Sequence, residues 1–164
     1  ALSDDADLVL FMSRASNLAS GVVDENNGDD VFVYQRSTGS TSLVSRSANS
    51  PSVPANNNSS PIGISSDGEW IVFNSDATNV VAGVIDSNNA TDAFLYQRSS
   101  GSISLVSRAA SSPITTANAQ SRARSISSDG QWVAFSSLAT NLVNGILDNN
   151  STQDAFVFQT ITQA

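Results

Sequence analysis

Several residue types are missing, and each absence removes a class of chemistry. The 164-residue chain has no cysteine and no histidine, and all seven of its basic residues are arginine, so lysine is absent too. Without cysteine there are no disulfides and no thiolate metal sites, which leaves the redox compartment open. Without His, Cys or Lys, the common nucleophile–base pairs and Schiff-base chemistry have no residues to use. Paired carboxylates could still hydrolyse glycosides, but the only glutamates are Glu25 and Glu69, and neither recurs. A net charge of -8 argues against nucleic acid, because phosphate binding needs clustered Lys and Arg. No apolar run approaches the roughly 18 residues that span a bilayer. No charged-then-apolar leader is present, and the expectation is a processed mature form or an excised segment. Only 13% of residues are charged, while serine and asparagine abound. That composition fits a secreted, extracellular or periplasmic bacterial protein.

What is present is a repeat. The stretch from Ile64 to Arg108 occurs also upstream, as Leu2 to Arg46, and begins again downstream at Ile126, the interval being the same both times. Asp24, Asp86 and Asp148 fall in register, as do Asp30, Asp92 and Asp154, and Phe32, Phe94 and Phe156. A fixed period without insertions means one supersecondary unit used three times.

Within the unit, residues 59–66 and 121–128 are predicted strands leading to the turns Asp67-Gly68 and Asp129-Gly130, a strong hairpin signal. In the first copy the turn reads Asp5-Ala6. The runs Leu8–Phe11, Trp70–Phe73 and Trp132–Phe135 are apolar on both faces, as are Val31–Tyr34, Ala93–Tyr96 and Ala155–Phe158. Strands read that way when their sheet is covered on both sides. Thr38-Gly39 and Ser100-Gly101 turn the chain into a last, more polar strand, Ser102–Arg108 in the middle copy. Residues 48–58 and 109–120 are Pro/Asn/Ser/Ala-rich connectors. The unit is therefore four antiparallel strands, and four-stranded sheets covered on both faces by copies of themselves are propeller blades. The predicted fold class is an all-β propeller, with blades at 1–58, 59–120 and 121–164, the last lacking its outer strand.

The run S-x-D-G-x-W-[IV]-[VA]-F-x-S, followed by A-T-N-[VL] and D-x-N-x-x-x-D-[AV]-F-[LV]-[YF], resembles the TolB-type β-propeller repeat of secreted bacterial proteins. Three in-register copies make the resemblance specific for fold. It implies little about function, since such propellers serve as binding platforms, assembly modules and enzyme appendages. Leu8 in place of Trp and Ala6 in place of Gly are departures from the pattern.

The chain holds about two and two-thirds blades, whereas closed propellers need at least four. Three blades alone would expose both end faces, and burying each large apolar side chain there is worth roughly 1.5–3 kcal/mol. The expectation is self-association into a two-fold ring or a filament made by strand addition beside Asp154–Thr162, with a fragment of a longer chain as the alternative.

The acidic loops Asp24-x-Asn26-x-x-x-Asp30, Asp86-x-Asn88-x-x-x-Asp92 and Asp148-x-Asn150-x-x-x-Asp154 place oxygen ligands at alternating positions, a pattern open to Ca²⁺ or to Asx-turns that stiffen the loop. Trp70 and Trp132 are expected to pack blade to blade, with sugar stacking, and hence a carbohydrate-binding propeller, as the competing reading. Arg122 and Arg124 are placed on the innermost strand of the third blade as a solvated pair or an anion site, and Arg46 and Arg108 are expected to pair with acidic loops.

Overall fold

The β-branched and aromatic runs form strands, as their side chains favour. The computed structural model describes residues 1–160, so the last part of the predicted free edge, up to Thr162, lies outside the described residues. Its first sheet contains β1 (Leu8–Ser13), β2 (Asp30–Gln35) and β3 (Ser40–Leu43) in that order. The second has four strands in sequence order, β4 (Ser59–Ile64), β5 (Trp70–Ser75), β6 (Asp92–Gln97) and β7 (Ile103–Leu105). The third contains β8 (Ser121–Ile126), β9 (Trp132–Ser137) and β10 (Asp154–Gln159). All neighbouring strands are antiparallel. Among the described residues, the middle unit has the four strands of a full blade and the other two have three each. In the first, Leu2 alone bridges Val9, at the position where Ile64 pairs with Ile71 in the second.

The hairpin before each long strand is wider than the two-residue turn that Asp-Gly suggests. Strands end at Ile64 and Ile126 because the next serine is drawn into the turn. The Ser65 hydroxyl donates to Asp67 and accepts the Trp70 N–H at 2.9 Å, while Asp67 also accepts the Glu69 N–H at 3.0 Å. Gly68 sits at φ +72° and Gly130 at +70°, a backbone state that suits glycine. Ala6 occupies the same state at φ 53°.

Each sheet is stapled across one strand pair by the same ring pair: Phe11–Phe32, Phe73–Phe94 and Phe135–Phe156, with centroids 5.8, 5.6 and 5.4 Å apart. The sheets stack face to face. Leu8, Leu10, Val31 and Val33 of the first pack with Ile71, Phe73, Phe94 and Tyr96 of the second. Val72, Ala93 and Leu95 of the second pack with Ala123, Val133 and Phe135 of the third. Backbone bonds tie successive hairpins, Asp4 N–H to Ser66 O at 3.2 Å and Ser66 N–H to Ser128 O at 2.8 Å.

The two outward faces differ, against the expectation of two equally raw ends. On the third sheet Trp132 is 43% and Val157 70% exposed. On the first, Phe32 is only 3% exposed, because its own loop folds over it with Ala19 and Val22, beside Leu43 and Phe11.

Candidate functional site

The acidic loops are nested Asx-turns. Asp24 Oδ1 accepts the N–H groups of Asn26 at 3.1 Å and Asn27 at 3.2 Å, and Asn26 Oδ1 accepts the Gly28 N–H at 2.6 Å. Because its oxygen is occupied, Asn26 turns Nδ2 toward Asp30 Oδ1 at 3.2 Å and the Ala55 carbonyl at 2.6 Å. The second loop repeats this: Asp86 caps Asn88 and Asn89, and Asn88 Nδ2 reaches Asp92 at 3.4 Å and Ala117 O at 2.6 Å. In the third loop Asp148 accepts the Asn150 N–H at 3.0 Å and Asn150 Nδ2 reaches Asp154 at 3.2 Å. Asn27, Asn89 and Ser151 take positive φ at the same step, an arrangement asparagine tolerates well.

The nine candidate ligands thus come together loop by loop, two carboxylates at a time, with an amide N–H rather than an oxygen facing the second carboxylate. Calcium takes six to eight oxygens, so each loop by itself falls short. Among the described residues no three or more His, Cys, Asp or Glu are grouped to hold a metal. Asp30 and Asp92 are buried beneath the outer strand. Burial raises Asp30 to about 6 against the hydrogen bonds from Asn26 and Ser45, and raises Asp92 to about 7 against those from Ser107 and Asn88.

The joints between sheets carry the remaining repeated side chains. Leu8 lies on Gly68 and Trp70 on Gly130, each so closely that a Cβ on the glycine would overlap it. Arg46 stacks over Tyr96 at 5.4 Å and donates to the Gly101 carbonyl, and Arg108 stacks over Phe158 at 4.9 Å. These arginines therefore lie on the next sheet's aromatics instead of on acidic loops, and a cation near a ring face needs no carboxylate. Among the described residues the ion pair is Arg14–Asp29, at 2.7 Å. Arg122 and Arg124 share one exposed face; Arg124 donates to Ser136 at 2.9 Å and Gln153 at 3.4 Å.

Sequence reasoning missed the role of the A-T-N segments. Asn56 and Asn79 bond each other's sheets reciprocally: the Asn56 N–H reaches Asn79 Oδ1 at 2.8 Å, and the Thr78 N–H reaches Asn56 Oδ1 at 2.9 Å. Asn118 with Thr140 and Asn141 repeats the clamp. The signal was available, since Asn56 and Asn118 are themselves one repeat apart. At the third unit, Ala139, Leu142, Ile146, Leu147 and Ala155 line an open groove of about 530 Å³ above Asn150 and Asp154.

Comparison with known proteins finds no matching family model and no matching curated protein. Among solved structures, the chain is similar to tricorn protease, with a TM-score of 0.56 and 13% identity over 100% of this chain and 14% of that one. It is also similar to a putative TolB from Agrobacterium tumefaciens, with a TM-score of 0.50 and 13% identity over 96% of this chain and 43% of that one. The chain thus spans less than half the length of either. Identity at this level speaks for fold alone. The three stacked sheets are blades of an incomplete, all-β propeller, and at the level of fold the repeat is of the TolB type.

Proposed function

We propose that the chain is a non-enzymatic structural or assembly module, secreted or periplasmic, that associates with itself through an open blade edge. One observation carries this reading: among the described residues β10 has no outer neighbour, where β6 pairs with β7 and β2 with β3. Ala6 favours edge pairing over a closed two-chain ring. A ring would bring Trp132 onto Ala6, and its counterpart pair, Trp70 on Gly130, has no room for a Cβ. Analytical ultracentrifugation tests the proposal. Concentration-dependent polymers are expected; a discrete dimer would favour the ring, and a monomer at all concentrations would remove self-association.

Calcium stiffening belongs to the same reading, with Asp24 and Asp30, or their counterparts, completed by water. Melting in calcium and then in excess chelator tests it, and an unchanged Tm would remove the cation. A carbohydrate-binding propeller is the second reading, favoured by the exposed indole of Trp132. A glycan array silent for the protein would exclude it.

A further inference from the structure

The groove on the third blade has two filled counterparts in the same molecule. Its lining residues Ala139, Leu142, Ile146, Asn150 and Ala155 correspond, one repeat earlier, to Ala77, Val80, Val84, Asn88 and Ala93. There the space is taken by the end of the outer strand and by the connector that follows. The Val106 N–H donates to Ala93 O at 2.9 Å, and Ser107 Oγ donates to Asp92 at 2.9 Å while accepting the Ala93 N–H at 3.0 Å. Further along, the Ala117 carbonyl accepts from Asn88 at 2.6 Å. The first blade uses Val44, Ser45 and Ala55 in the same three places, with the Val44 N–H on Val31 O at 2.8 Å and Ala55 O on Asn26 at 2.6 Å. All six of these filling residues are buried.

The two filling segments share a pattern that the rest of the chain lacks. Val44-Ser45-Arg46 is followed, after a short connector, by Ala55-Asn56, and Val106-Ser107-Arg108, after a connector of the same length, by Ala117-Asn118. Five of the positions common to the two copies have a job in the fold. Val44 or Val106 and Ala55 or Ala117 fill the groove, the serine bridges strand and buried aspartate, the arginine stacks on the next blade's aromatic, and the asparagine enters the next blade's A-T-N clamp. On the third blade, Ile146 is 65% and Leu147 84% exposed, and Asn150 Nδ2 has Asp154 but, among the described residues, no connector carbonyl. Ala155 pairs with Ser136 as Ala93 does with Asn74, so it presents the same N–H and C=O along the free edge of β10.

We propose that this groove, with the edge of β10, docks an extended segment of another polypeptide carrying the Val-Ser-Arg and Ala-Asn pattern, which supplies the blade's fourth strand. Strand addition of this kind takes its affinity from main-chain hydrogen bonds and its specificity from alternate side-chain pockets. The proposal deepens the assembly reading above, and rests on it for the idea that the segment comes from a separate chain.

The test titrates a fluorescent peptide of residues 102–120 into the full chain and reads anisotropy. Saturable one-to-one binding is expected, weakened at least tenfold by Ala117→Arg in the peptide, and also by Ala155→Arg in the protein, where the residue is exposed and the fold does not need it. Absence of saturable binding, or equally tight binding of a scrambled peptide, would overturn the proposal. Sedimentation of the same samples separates the two ideas. A monomer that binds the peptide supports the groove and removes self-association, whereas an oligomer that neither binds nor is dissociated by the peptide overturns the groove and leaves self-association standing.

Discussion

Blades 2 and 3 carry the same unit, yet matched residues live in different surroundings. Trp70 lies on Gly130 of its neighbour, while Trp132 meets no such partner among the described residues and is 43% exposed. Leu95 is 3% exposed and Val157, at the same position, 70%. Asp92 is held by Ser107 and Asn88, Asp154 by Asn150. In a stack of repeats, burial belongs to the joint between units rather than to the residue within one. The unit's side chains are chosen for a neighbour, and their energetic weight depends on whether that neighbour is there.

The largest test of this contrast is in the core. Phe73→Ala, at a fully buried ring in the first joint, should cost about 3–5 kcal/mol in urea unfolding. Val157→Ala should cost less than about 0.5 kcal/mol. Comparable losses would mean that the outward face of blade 3 is covered in solution.

Next comes pH. Both buried aspartates are raised above the ordinary value of 3.8, Asp30 to about 6 and Asp92 to about 7. The folded state therefore holds extra protons between those limits. The stability these protons give is fully present below pH 3.8 and is lost as pH rises through 6 to 7, on the order of 3 kcal/mol for the two groups together once solvent screening is allowed for. Asp92→Asn should flatten most of that slope in denaturation curves taken across the range.

Gly130→Ala places a methyl group against the Trp70 ring at a positive φ, and a loss of about 2 kcal/mol is expected from strain and overpacking. The reverse change at the uncovered end, Ala6→Gly, should stabilise by about 1 kcal/mol, because it relieves an exposed alanine held at φ 53°. The smallest effect is spectroscopic. Iodide should quench the emission that Trp132→Phe removes and spare the Trp70 emission that remains.

Much of this architecture was legible in the sequence, for a physical reason. The constant repeat interval, the doubly apolar runs and the paired Asp-Gly turns each report a local requirement of strand or hairpin, and those requirements are met within one unit. What was misread involved two units at once. Arg46 and Arg108 looked like partners for nearby carboxylates, but their rings, Tyr96 and Phe158, belong to the next blade and are distant along the chain. The capping of Phe32 by Ala19 and Val22 likewise depends on a loop folding over a face rather than on the strand that carries the ring. The acidic loops were readable as either cation site or Asx-turn, and it was the backbone N–H groups of Asn26, Gly28 and their counterparts that took up the side-chain oxygens.

Ala6 sets the first hairpin apart from the other two. At each internal junction a bulky side chain from one unit presses into a hairpin that has been kept bare for it, and the first unit has lost that bareness. An indole placed on that hairpin as Trp70 is placed on Gly130 would meet the methyl group, whichever of two copies supplies which partner. One methyl group would thus bear equally on both ends of a row of identical copies, and on none of their strand edges.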